Sequence, residues 1–269
     1  MKKWVASLFV LVAVVPLLAQ DGVWFTKAGS GDTLHDLYLI SCEVVQVDVH
    51  FNTTSELGGV VVPVGSDTAD IVITDAQGDQ STWNDQTQDT LYFLYSNYDA
   101  AQNQAVLSLI QGKNTIAAGS YKLGTLEITA NTTDLEDLTT PVVAITWPPA
   151  SDLAFINTAG TASTTPTFTS FNVHFLQCGD VNGDGSVNFA DASYLADYAF
   201  GGGAEPLSMK GADVNGDDAV NFADASYLAD YVFGGGAEPQ CCPVKGDKVQ
   251  PTPKKRNLKV KKLHKNLSR

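Results

Sequence analysis

The sequence predicts a mainly β protein, in which an antiparallel β-sandwich is followed by a small α-helical domain of two loop–helix repeats. Before residue 178, apolar and polar residues alternate with a period of two in several short runs, which indicates strands with one buried face. After residue 178, one stretch of the chain occurs twice at a spacing of 33 residues. Such self-similarity indicates a duplicated structural unit.

The sandwich is expected to occupy residues 20–177. The clearest strand alternates Val45, Val47, Val49 and Phe51 with polar neighbours. Because turn residues and no amphipathic helices separate the strand-like runs, a sandwich is the expected architecture. Further strand-like runs are 59–64, 70–74, 91–95, 105–110, 126–130, 142–147 and 171–175, with turns expected at 75–78 and 117–120 and a loop at 157–167.

The duplicated unit lies in the predicted second domain, residues 178–242. Residues 187–198 recur unchanged as 220–231, and each copy runs into Phe-Gly-Gly-Gly-Ala-Glu-Pro. The glycines and the proline are expected to end one helix in each copy. Leucine and tyrosine three residues apart occupy inward positions of each helix, as Leu195 with Tyr198 and Leu228 with Tyr231.

The two ends of the chain are not expected to belong to either domain. Lys2 and Lys3 precede an apolar run that ends at Ala19, which is the pattern of a secretory signal peptide over residues 1–19. An uncleaved N-terminal anchor is the alternative. The signal peptide predicts a secreted, extracellular protein, with no attachment to the membrane after the signal is cleaved. Residues 243–269 are basic and are expected to form a flexible tail.

The charge distribution favours divalent cations as partners and argues against nucleic acid. Residues 20–244 contain 29 of the 30 acidic residues but only four basic ones, which are Lys27, Lys113, Lys122 and Lys210. A segment with this excess of negative charge repels phosphates and anionic lipids and attracts divalent cations.

Four cysteines, Cys42, Cys178, Cys241 and Cys242, are available for disulfides in an exported protein. A bridge from Cys178 to one of the last two would close the repeat domain at its ends. Four cysteines permit three pairings, and the sequence does not choose among them. A zinc site is the weaker alternative, because no CxxC spacing is present.

The first repeat begins with a twelve-residue loop whose spacing is typical of calcium binding. Calcium takes six to eight oxygens at about 2.3–2.6 Å, and EF-hand loops supply them from positions 1, 3, 5, 7, 9 and 12. Gly185 stands at position six, where the chain must turn sharply. The expected ligands are Asp180, Asn182, Asp184, the carbonyl of Ser186, Asn188 (directly or through water) and Asp191.

The second loop repeats this pattern, so two calcium ions are expected. Its position six is Asp218 instead of glycine, and a positive φ there costs a non-glycine residue about 1–2 kcal/mol. We therefore expect the second loop to bind calcium more weakly, unless the added carboxylate offsets this cost. The expected ligands are Asp213, Asn215, Asp217, the carbonyl of Ala219, Asn221 and Asp224.

Two loops of the form Asp-x-Asn-x-Asp-(Gly or Asp)-x-Val-Asn-x-x-Asp, each followed by one helix, resemble the repeats of type I dockerin domains. The resemblance implies two repeats with approximate two-fold symmetry, two bound calcium ions and docking onto a cohesin-type module. It also implies a link to secreted polysaccharide-degrading enzymes. In clostridial dockerins the residues just before the last ligand are often Ser-Thr and help contact cohesin, but these positions hold Phe189-Ala190 and Phe222-Ala223 here. The identity of the two helices would let either one dock.

The predicted sandwich has a weaker resemblance to cohesins and to related carbohydrate-binding modules. It is carried by Val47–Asn52, Leu57–Val60 and Ala118–Leu126, and it implies a fold only. Four aromatic residues could stack on sugars, although such residues more often pack in a core or along a strand edge. They are Trp83, Tyr92, Tyr95 and Tyr98.

The sequence contains no motif of a known active site, and a non-catalytic protein is expected. Glu136 and Asp137 could serve a glycosidase, but adjacent acids in a polar stretch are typical of a solvated loop. The leading hypothesis is a non-catalytic, extracellular, calcium-binding assembly or adhesion protein that docks onto a cohesin-type partner. The alternatives are a carbohydrate-binding accessory module, a divergent glycoside hydrolase, and self-assembly through the chain's own two domains.

Overall fold

The computed structural model describes residues 20–66, 68, 70–83, 91–130, 139–144 and 152–242. The predicted signal peptide, the basic tail and the pair Glu136 and Asp137 lie outside the described residues, as does the end of the predicted strand 142–147. None of the helices in these ranges has the length and apolar character needed to cross a bilayer.

The described residues form a run of strands and then three helices. In chain order they are β1 (Gly22–Lys27), β2 (Asp36–Ile40), β3 (Val44–Thr53), β4 (Leu57–Gly65), β5 (Ile71–Gly78), β6 (Tyr92–Asp99), β7 (Gln104–Gln111), β8 (Gly119–Ala130), β9 (Thr139–Ala144), β10 (Ala154–Asn157), β11 (Ser163–Thr164), β12 (Thr167–Phe168), β13 (Phe171–Leu176), α1 (Phe189–Ala199), α2 (Met209–Ala212) and α3 (Phe222–Val232).

The strands form two sheets that share one core, which confirms the mainly β sandwich. The first sheet has the order β12-β1-β3-β8-β5. The second has the order β11-β10-β4-β9-β13-β2, and β7 joins it beside β4 with β6 at its outer side. Pairing is antiparallel except in two places, because β12 runs parallel to β1 and β2 runs parallel to β13.

The core follows the alternation seen in the sequence. In β3, the side chains of Val45, Val47, Val49 and Phe51 are all buried. Trp83 is buried against Phe51, with their rings stacked 6.3 Å apart, and its Nε1 donates a hydrogen bond to the carbonyl of Lys122 at 2.9 Å. Trp83 is therefore a core residue, as is more usual for such aromatics, and the alternative place on a sugar-stacking surface is excluded for it.

The turn expected at residues 75–78 is part of β5. A bulge between Ile73 and Asp75 shifts the register, after which pairing with β8 continues to Gly78, opposite Gly124. A Cβ added to Gly124 would clash with the carbonyl oxygen of Gln77. Gly124 therefore marks a close approach to the backbone of β5, for which only glycine leaves room.

The helices pack on a second, smaller core that includes part of the sandwich. Leu195 and Leu228 are completely buried there, beside Ile40 at the end of β2 and Leu176 at the end of β13. The hydroxyl of Ser208 donates a hydrogen bond to the Glu43 carboxylate at 2.7 Å across the same junction. The helical segment is thus seated against one end of the sandwich.

Two disulfides fasten this arrangement, and no free cysteine remains among the four. Cys178 pairs with Cys241 and closes the repeat segment at its ends. Cys42 pairs with Cys242 and ties the sandwich to the helical segment. With all four thiols in bridges, none is available to bind zinc.

Candidate metal centre

The last part of the first loop is also the start of α1. Asn188 is the N-cap residue, and its Oδ1 accepts a hydrogen bond from the amide of Ala190 at 2.7 Å. The Asp191 carboxylate accepts in return from the amide of Asn188 at 2.9 Å, which completes a capping box. The helix N-terminus therefore fixes the predicted ligands at positions nine and twelve, where a carboxylate is favoured by the helix dipole.

Asp180 organises the first half of the same loop. Its Oδ1 accepts hydrogen bonds from the amides of Gly183 and Asp184, at 2.9 and 3.2 Å. Its Oδ2 accepts from the amide of Gly185 at 3.0 Å. The chain thus winds around one buried carboxylate, with positive φ at Gly183 and Gly185 supplying the turns.

The first loop brings three carboxylates to one point. One oxygen from each of Asp180, Asp184 and Asp191 lies within 4.8 Å of the others. The Asn182 Oδ1 and the Ser186 carbonyl lie in the same loop, where they accept hydrogen bonds from the Asp184 amide and the Asn188 side chain. An all-oxygen set with three carboxylates is the chemistry that a hard divalent cation such as calcium requires, so the residues present fit this ion.

Burial raises the free-energy cost of keeping three of the loop carboxylates ionised when no cation is bound. The side chains of Asp180, Asp191 and Asp224 are almost wholly removed from solvent. Burial raises the pKa of each of the three carboxyl groups, although backbone amides that donate to them partly offset the effect. Neighbouring carboxylates raise the three pKa values further.

The second loop has nearly the same construction. Asn221 caps α3 and forms a capping box with Asp224, while the amides of Asp217 and Asp218 donate to the Asp213 carboxylate at 3.0 and 3.2 Å. Asp218 has a φ of 65°, which confirms the expected left-handed conformation at position six. The expected difference in affinity stays a prediction.

A charged residue that sequence reasoning did not single out lies beside the second loop. The ammonium nitrogen of Lys210 is 3.2 Å from Asp213 Oδ2 and 3.9 Å from Asp218 Oδ1. Aligning the repeats at their 33-residue spacing puts Lys210 opposite Gln177, so a comparison of the residues just before each loop could have found it.

Two aromatic pairs are exposed on the surface of the helical segment. Phe189, at the start of α1, contacts Phe233 after α3, with ring centroids 5.5 Å apart. Phe222, at the start of α3, contacts Phe200 after α1 at 5.2 Å. The start of each helix thus meets the end of the other, so the helices are antiparallel and the repeats have approximate two-fold symmetry. We call these four residues the aromatic pairs; about half or more of each side chain is exposed.

Comparison with known proteins identifies the repeat segment. Residues 178–233 match the family model of the dockerin type I domain, and this range contains both loops and both long helices. No curated protein matches the chain.

Several solved structures are similar to the chain at low scores. A cohesin–dockerin complex from Acetivibrio cellulolyticus has 9% identity and a TM-score of 0.41, covering 58% of this chain and 98% of that chain. A type I cohesin–dockerin complex from Clostridium thermocellum has 7% identity and a TM-score of 0.39, with 58% and 99% covered. A non-cellulosomal cohesin from Archaeoglobus fulgidus has 11% identity and a TM-score of 0.39, with 59% and 93% covered. At such scores, the fold assignment rests on the strand pairing described above.

Proposed function

We propose that this chain is a secreted, non-catalytic assembly protein whose residues 178–242 bind two calcium ions and dock onto a cohesin-type module. The observation that carries the proposal is the pair of acidic loops, each closed by the capping box of a helix, within a segment that matches the dockerin type I domain. Dockerin modules and cohesin-like folds are non-catalytic. Attachment to polysaccharide-degrading enzymes through the partner is part of the proposal.

Calcium would supply stability that the small helical core lacks. In the first loop Asp180, Asn182, Asp184, Ser186, Asn188 and Asp191 would hold one ion, and the equivalent residues of the second loop would hold the other. Buried carboxylates a few ångströms apart repel one another, and a divalent cation turns this repulsion into attraction. Binding free energy then becomes folding free energy of the segment.

The aromatic pairs are the proposed docking surface. Phe189 and Phe222 occupy the positions at which many dockerins present Ser or Thr to cohesin. Aromatic side chains are enriched at the centre of protein interfaces. Asp197 and Asp230 are exposed on the same helices, so a complementary partner surface has an apolar recess with basic residues around it.

The test is calcium-dependent binding to a panel of immobilised cohesin-type modules, measured with the chain that lacks residues 1–19. We expect binding in calcium chloride and none in excess chelator. The double substitution Phe189→Ala and Phe222→Ala should abolish binding, whereas Val44→Ala, an equally exposed apolar residue of the sandwich, should leave it unchanged. Binding that persists in chelator, or is insensitive to the double substitution, would refute the docking proposal.

A carbohydrate-binding accessory role is the second candidate, supported by an exposed apolar row on the sandwich. Tyr95 and Phe93 project from β6, and Ile110 lies opposite Phe93 on β7. Aromatic side chains on a sheet surface can stack on sugar rings. Retention of the wild-type chain on insoluble glycans, with loss in Tyr95→Ala, would favour this role, and the absence of retention would remove it.

A further inference from the structure

The two calcium loops differ in charge at one position that precedes each of them. Three residues before the first ligand, the first repeat has the neutral Gln177 and the second has Lys210. The Lys210 ammonium is within hydrogen-bonding distance of Asp213 Oδ2, the side chain of the first predicted ligand in the second loop. The loops are otherwise alike in ligand type and spacing, so this position is a natural difference between two copies of one site.

The contact of Lys210 with Asp213 joins a partly exposed ammonium to a buried carboxylate. The Asp213 side chain is 4% exposed, whereas the Lys210 side chain is 35% exposed and so reaches in from the surface. An ion pair with a buried partner is less screened by water and salt than an exposed pair. Asp217 and Asp224 belong to the same loop, and the exposed carboxylate of Asp218 lies 3.9 Å from the ammonium.

The residue that departs from the pattern at position six takes part in the same contact. Asp218 replaces the glycine of the first loop and adopts a φ of 65°, and its exposed carboxylate lies 3.9 Å from the Lys210 ammonium. Lys210 and Asp218 therefore both differ from the equivalent residues of the first repeat, and one is cationic and the other anionic. Within the described residues, only the first loop brings three acidic side chains within 4.8 Å of one another, and Asp213 Oδ2 in the second loop is engaged by lysine.

We propose that Lys210 is a built-in counter-cation of the second loop. In the calcium-free protein it neutralises part of the acidic cluster and keeps that loop folded. When calcium enters, the ammonium must leave Asp213 or remain beside a divalent cation, and either event opposes binding. The two loops then fill in order, the first at lower calcium concentration. This inference rests on the proposed calcium binding and deepens it by naming the residue that sets the order.

The test is calorimetric titration of the chain with calcium chloride, comparing wild type with Lys210→Gln. Glutamine copies the natural residue of the first repeat and keeps the first two methylenes of the lysine side chain. To read the second loop alone, both proteins also carry Asp180→Asn. Lys210→Gln should tighten calcium binding by about tenfold, which corresponds to about 1.4 kcal/mol. The reciprocal change Gln177→Lys, read in an Asp213→Asn background, should weaken the first loop by a similar factor.

A second measurement separates a counter-cation from a residue that merely packs. In excess chelator, Lys210→Gln should speed hydrogen exchange in α3 relative to wild type, because the acidic loop loses its internal cation. Unchanged or weaker calcium affinity in Lys210→Gln, or unchanged exchange in chelator, would overturn the inference while leaving calcium binding intact. If the wild-type chain binds no calcium at either loop, the proposed function fails, whatever Lys210 does.

Discussion

Removing the bridge between Cys42 and Cys242 should uncouple the helical segment from the sandwich. With both cysteines replaced by serine, a ring of well over a hundred residues opens even though Cys178 and Cys241 stay paired. In the chain-entropy treatment, a ring of this size stabilises the folded state by about 5 kcal/mol. The remaining junction, which includes Ile40, Leu176 and the hydrogen bond from Ser208 to Glu43, should hold the segment only weakly.

Urea unfolding followed by two probes can measure this loss. Tryptophan fluorescence reports on the sandwich, where Trp24 and Trp83 lie, and far-UV circular dichroism reports mainly on α1 and α3. In calcium-free buffer the wild type should lose both signals together, whereas the variant should lose helix at clearly lower urea. If the helical transition of the variant coincides with that of the wild type, the bridge does not anchor the segment and the reasoning is wrong.

Three further predictions follow from burial and close contact. Without calcium, hydrogen exchange in α1 and α3, corrected for intrinsic rates, should slow as pH falls from neutral toward the ordinary carboxyl range. The reason is that the pKa values of Asp180, Asp191 and Asp224 are raised in the folded protein, so their protonation stabilises it. That stability is lost as pH rises through the raised pKa values. Faster exchange at acidic pH would contradict this. Gly124→Ala should destabilise the sandwich by about 2–3 kcal/mol in urea, while Gly31→Ala, with open space around it, should change little. Leu228→Ala should cost about 2–5 kcal/mol and Phe233→Ala under about 1 kcal/mol, since only the leucine is buried; equal losses would refute that distinction.

The sandwich could be predicted where a strand has one buried face. β3 and β13 alternate cleanly because one side of each meets the core. β1 and β2 were not predicted, because their burial patterns lack strict alternation and periodicity gives no signal there. At residues 75–78 the turn-forming residues were misleading, since pairing with β8 outweighs their local preference.

The local fold of the two acidic loops was predictable because its contacts are close in sequence. Each loop consists of twelve consecutive residues, and its side chains accept hydrogen bonds from amides two to five positions away. Asp180, for example, accepts from Gly183 and Gly185. The helix start at Phe189 follows from the same local sequence, which supplies both members of the capping box.

The features that could not be predicted from the sequence depend mostly on contacts between residues far apart in the chain. The pairing of Cys42 with Cys242 spans 200 residues, and three pairings were equally compatible with the spacing. The packing of the helical segment against Ile40 and Leu176 likewise depends on tertiary structure. The contact between Lys210 and Asp213 spans only three residues but needed the loop geometry to be seen.

The central claim is that each acidic loop closes around one calcium ion. Calorimetric titration of the chain lacking residues 1–19 with calcium chloride tests it most directly, in parallel with a variant carrying Asp191→Asn and Asp224→Asn. We expect two ions bound per wild-type chain and a severe loss of calcium affinity at both loops in the variant. Absence of binding to the wild type, or a variant that still takes up two ions with wild-type affinity, would contradict it.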